Sequence, residues 1–127
     1  MKRKSALTFI SLATMILMTQ VLYAFPQFGK GFKKLYLETT SDKFKQAVSA
    51  AKCNLCHDPT KKTDKGKSSK KFKNAYGQAL DKLLGKKDKK NKEKIEQALK
   101  DVEQEKAPDS EETFGERLRG GKLPIDP

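Results

Sequence analysis

Apolar residues are scarce outside the first 24 positions, and this limits what the chain can fold into. Of its 127 residues 45 are hydrophobic; 15 of these fall in residues 1–24 and 30 in the other 103. That is under a third, where globular domains run at about 45–50% on a scale that also counts glycine. Such a chain buries little apolar surface, so it is either partly disordered or completed by something that is not protein. Its length allows one small domain. A large enzyme with a deep core, a multi-span membrane protein and, with two cysteines, a disulfide-dense scaffold are excluded.

Residues 1–24 read as an address. Lys2, Arg3 and Lys4 precede an apolar run from Ala6 to Met18, and Ala24 is a small residue at the expected cleavage point before Phe25. This is the pattern of a cleaved secretory signal peptide, and the run is short for a membrane span. The remaining chain is therefore expected to work outside the cytoplasm, in a periplasm or its equivalent. All three methionines (Met1, Met15, Met18) lie in this segment.

The rest divides into an N-terminal segment (25–40), a central domain (41–106) and a C-terminal tail (107–127). Phe32, Leu35 and Tyr36 have helical spacing, weakened upstream by Gly29 and Gly31. Ser41 or Asp42 can cap a helix running to about Lys52, with Phe44, Ala47, Val48 and Ala51 on one face. Residues 60–71 contain no apolar side chain and read as a solvated loop. A third helix is expected from about Lys70 to Leu84 on a stripe of Phe72, Tyr76, Ala79, Leu80 and Leu83, with Gly85 as its C′ residue. The run KKDKKNK reads as a second basic loop. A fourth helix is expected over about Lys90–Lys106, carrying Ile95, Ala98, Leu99 and Val102. Ser110 and Gly120 bracket a last turn or two with Phe114 and Leu118. No strand pattern stands out, so the expected class is all-α with long Lys-rich loops.

Both cysteines and the single histidine lie within five residues, Cys53-Asn54-Leu55-Cys56-His57. C-x-x-C-H is the sequence of c-type haem attachment. Two thiols one short turn apart can add across the two vinyl groups of one porphyrin edge, and the adjoining imidazole can reach the iron. Three other readings exist. A thioredoxin-like redox pair needs a βαβ pattern that is absent. A closed zinc site needs four ligands where only three N/S donors exist. A plain structural disulfide closes too short a loop to stabilise much. Haem accounts for the motif, the export signal and the helix leading into it.

On these residues the chain resembles the monohaem c-type cytochromes. AKCNLCH, NAYGQAL and FGERLRGGKLP together are also similar to small exported haem proteins of the planctomycete type. The resemblance implies a small cytochrome c-like helical domain wrapped on one covalent haem c. Cys53 and Cys56 would be the thioether residues and His57 the proximal iron ligand, with a helix carrying Phe44 and Val48 facing Ile95, Leu99 and Val102. The chain departs from the family in its sixth ligand: after residue 24 it holds no methionine and no second histidine. The iron is then five-coordinate or takes an unusual ligand: one of the fourteen lysines between Lys61 and Lys94, Tyr36, Tyr76, the amine of Phe25, or a methionine or histidine from another protein. Tyr76 reads more simply as a core residue with its hydroxyl at the surface, and Asn74 as a solvated helix position.

Charge is asymmetric. Residues 60–94 carry 14 basic and 4 acidic groups, whereas residues 95–127 carry 5 and 9. A basic region beside the motif suits an acidic redox partner protein or an anionic membrane surface, with KKDKKNK as the contact. Nucleic acid fits the charge, but an exported protein has no access to it. The expected function is haem binding and electron transfer by Fe(III)/Fe(II) cycling, not enzymatic catalysis, because no second histidine is available to move protons. The alternative is a five-coordinate haem protein that binds or senses NO or CO.

Overall fold

The computed structural model describes residues 26–67 and 71–126. The signal-peptide reading of residues 1–24 and the amine of Phe25 lie outside the described residues. Among those residues the protein is all-α, with no strand and no helix long and apolar enough to cross a membrane. Five helices follow in order: α1 Pro26–Tyr36, α2 Asp42–Ala51, α3 Ala75–Leu83, α4 Lys92–Val102 and α5 Phe114–Arg119. Two 3-10 helices, Lys52–Leu55 and Lys86–Lys90, follow α2 and precede α4.

Fifteen hydrophobic residues form one buried cluster that runs from Phe32 to Leu118. The few apolar residues are thus concentrated, and α1 and α5 share the core with the helices between them. An edge-to-face aromatic chain holds its centre. Tyr76 packs against Phe114 (centroids 5.1 Å apart) and Phe32 (6.2 Å), in the favourable tilted geometry for aromatic rings.

Local chemistry explains most boundaries. The Ser41 hydroxyl accepts the Phe44 N–H and starts α2 at Asp42, as its sequence predicts. α1 runs unbroken through Gly29 and Gly31. Gly31 packs so closely on Ile95 and Leu99 of α4 that a β-carbon there would overlap the Ile95 side chain. Tertiary contact overrides the poor helix propensity of glycine.

Several expectations are corrected. α3 begins at Ala75, not near Lys70, because Lys73 pairs with His57 in an antiparallel bridge and Asn74 caps the helix. Phe72 therefore precedes the helix, and Leu83 is 39% exposed. Gly85 has φ −118° and is not a left-handed C′ residue; the chain leaves α3 through extended Leu84. KKDKKNK is not a loop but largely the Lys86–Lys90 3-10 helix, and Asn91 caps α4, which ends at Val102. Thr113, not Ser110, caps α5, since Thr113 and Glu116 exchange side-chain-to-backbone bonds as a capping box. α4 packs chiefly on α1 and α3 rather than on α2. Phe44 and Val48 of α2 are nonetheless buried in the common core.

Candidate functional site

α2 delivers the motif. Its last carbonyls are followed by Lys52 at φ 49°, ψ −120°, a left-handed conformation that non-glycine residues rarely adopt. This bend turns the chain into the short 3-10 helix that carries Cys53. The Cys53 carbonyl then accepts the N–H groups of Cys56 (3.3 Å) and His57 (3.0 Å), closing a tight turn. Cys53 is exposed, Cys56 and His57 are half-buried, and both thiols are free. Leu55, between the cysteines, points into the core at 9% exposure and anchors the turn.

The turn is gripped from the other side by the start of α3. The Asn74 side-chain amide donates to the carbonyls of Asn54 (3.0 Å) and Leu55 (3.1 Å). Its backbone N–H donates to the Cys56 carbonyl (3.1 Å), and its side-chain oxygen accepts the Gly77 N–H (2.9 Å). One residue thus caps α3 and ties down three carbonyls of the motif. Gly77 completes the grip, because a β-carbon there would collide with the Cys56 carbonyl. Asp58 N–H to Phe72 carbonyl (3.0 Å) continues the pairing beyond His57. Asn74 is not a solvated position, and the reading of residues one at a time missed it. A polar residue before an apolar helix stripe is the N-cap signal that could have found it.

Burial favours the protonated forms of Cys56 and Tyr76. Burial, and then the neighbouring Cys53, push the Cys56 thiol up to about 12. Burial also raises the Tyr76 phenol, with smaller contributions from Tyr36, Cys56 and Glu103. Two side-chain atoms in this region are buried without a hydrogen-bond partner, Nδ1 of His57 and the Tyr76 hydroxyl. The Tyr76 hydroxyl is therefore inside, not at the surface. Beside the motif, the Thr60 hydroxyl and N–H hold the Asp58 carboxyl below its usual range.

The donor set fits a covalently attached haem. The two thiols flank one turn, Cys53 faces solvent, and His57 follows directly with a buried ring nitrogen that has no partner. No group of three or more His, Cys, Asp or Glu side chains among the described residues is arranged to hold a metal ion by itself. Tyr36, considered above as a sixth ligand, is committed elsewhere: its hydroxyl donates to Glu103 (2.8 Å) and the Leu99 carbonyl (3.2 Å). Lys73, opposite His57 in the bridge, pairs with Asp81 at 2.6 Å.

Comparison with known proteins gives no family model, no curated protein and no solved structure that matches this chain.

Proposed function

We propose that this protein is an exported monohaem c-type cytochrome that carries electrons. The observation that carries the reading is the single turn in which Cys53 and Cys56 stand three residues apart, His57 follows, and Asn74 holds the carbonyls between them. Cys53 and Cys56 would hold the porphyrin edge as thioethers, and His57 would be the proximal iron ligand. When bound, the haem supplies one-electron Fe(III)/Fe(II) cycling. The chain's own part is to fix the turn. Leu55 is sunk in the core, Asn74 ties the backbone down, and Gly77 lets α3 lie against it. A turn fixed in this way limits the conformations open to Cys53, Cys56 and His57, which would favour attachment.

A second reading is a five-coordinate haem protein that binds NO or CO. It is favoured by the absence of methionine and of a second histidine after residue 24. One experiment tests both. The protein is exported in a host able to attach haem, and its mass and reduced optical spectrum are recorded with and without CO. A mass gain of one haem with a Soret band is expected, and Cys53→Ala/Cys56→Ala should abolish it. A low-spin spectrum unmoved by CO supports electron transfer. A high-spin spectrum shifted by CO moves the gas-binding reading ahead. Absence of a Soret band in the exported protein overturns both.

A further inference from the structure

The Lys86–Lys90 3-10 helix reads KKDKK, and its one acid is turned inward. Asp88 is 7% exposed; it accepts the Gly85 N–H at 2.8 Å and pairs with Lys94 at 3.0 Å. Lys86, Lys87, Lys89 and Lys90 are exposed, and none takes part in an ion pair among the described residues. The segment's one negative charge is thus turned towards Gly85 and Lys94, with Lys87 close enough to act on it, and four lysines remain exposed against it. Three residues before Lys86 stands Leu83, the one large hydrophobic side chain exposed among the described residues, at 39%. α1 packs beside this helix and contains three lysines (Lys30, Lys33, Lys34) and no acid.

We propose that this segment, Leu83 with Lys86, Lys87, Lys89 and Lys90, is a docking surface for an anionic lipid bilayer. A specific protein interface is built on aromatic and arginine anchors and is depleted in lysine. The cations of this surface are all lysines, with no arginine and no aromatic among its residues. It suits a diffuse layer of lipid phosphate, to which each lysine near the surface adds attraction. A single exposed leucine beside the lysines adds apolar contact with the interfacial region. The proposal is independent of the haem reading, because none of these residues belongs to the Cys53–His57 turn.

The test is co-sedimentation of the exported protein, with its haem content recorded, with phosphatidylglycerol/phosphatidylcholine vesicles and with pure phosphatidylcholine vesicles. Binding to the anionic vesicles only, weakening with salt, is expected. Lys86→Gln/Lys87→Gln/Lys89→Gln/Lys90→Gln should lower it by on the order of a hundredfold or more. The comparator Lys61→Gln/Lys62→Gln/Lys65→Gln/Lys67→Gln removes the same charge elsewhere and should change it only a few-fold. Leu83→Ser should weaken binding several-fold without changing its salt dependence. Circular dichroism checks that each variant keeps its helices. Equal losses in the two quadruple variants, or no preference for anionic vesicles, would overturn the proposal whatever the haem content.

Discussion

Gly77 lies with its α-carbon against the carbonyl of Cys56, so close that no side chain fits between α3 and the Cys-x-x-Cys-His turn. The opposing atom is backbone, so relief requires the whole turn to move. Gly77→Ala is therefore expected to destabilise the protein by about 2 kcal/mol or more, although alanine is intrinsically better in a helix by about 1 kcal/mol. Gly29 in α1 has only open space within 4 Å of where a β-carbon would sit. Gly29→Ala should therefore stabilise by roughly 0.5–1 kcal/mol. Urea unfolding of the two variants checks both signs; a Gly77→Ala protein as stable as the parent would refute the close contact.

Asn74 does two jobs that two substitutions separate. Asn74→Ala removes the cap of α3 and both side-chain bonds to the Asn54 and Leu55 carbonyls. A loss of roughly 1–3 kcal/mol is expected. Asn74→Asp keeps an acceptor for the Gly77 N–H but loses the donors and sets a carboxylate against two carbonyls. It should retain α3 while loosening the turn. The readout is the alkylation rate of Cys53 and Cys56 alongside the yield of covalent haem. Unchanged thiol reactivity in Asn74→Asp would show that the side-chain amide does not hold the motif.

These two residues also mark how far the sequence could be read. α2 was legible because its cap and its apolar face at i, i+3, i+4 and i+7 are local signals, and Ser41, Phe44 and Val48 occupy their expected places. The motif was legible because the two cysteines and the single histidine of the chain all fall within five residues. The grip of Asn74 was not, since its partners lie 19 and 20 residues away. α1 was obscured by two glycines, one of which is there for its contact with Ile95 and Leu99. The Lys86–Lys90 helix read as a loop because burial of Asp88 depends on Gly85 and Lys94 presenting their donors, which charge patterning alone does not reveal.

Tyr76 is fully buried and its hydroxyl has no partner. An unmatched buried hydroxyl costs about 1–3 kcal/mol. Tyr76→Phe keeps the ring contacts with Phe32 and Phe114 and removes that cost. The haem-free chain should gain up to about 1 kcal/mol, read as a higher urea midpoint. A lower midpoint would mean that the hydroxyl has a partner in solution.

Stability of the chain with free thiols should fall at alkaline pH. The folded state holds the Cys56 thiol up to about 12, against an ordinary value of 9.0, and raises Tyr76 as well. A group with a raised folded pKa binds its proton more tightly in the folded state. Its stabilising contribution is complete below about pH 9 and is lost as pH rises towards 12. Thermal melts between these limits should show a falling Tm, and Cys56→Ala should flatten part of the fall. An identical pH profile in that variant would remove Cys56 as a cause.

Arg117 ties the C-terminal tail to α5. It is 6% exposed; its Nε donates to the Leu123 carbonyl at 2.9 Å, and its guanidinium pairs with Asp126 at 2.5 Å and Glu112 at 3.6 Å. Arg117→Met keeps much of the buried stem but loses the fork, and should cost roughly 1–3 kcal/mol. Arg117→Lys keeps the charge without the planar geometry and should recover only part of that loss. Most of the cost should come from the Leu123 bond and packing, because the Asp126 side chain is 80% exposed and its charge stays solvated when the arginine is removed. A double-mutant cycle with Asp126→Ala should therefore give a coupling below about 1 kcal/mol. A larger coupling would show that the ion pair, rather than the backbone bond, holds the tail.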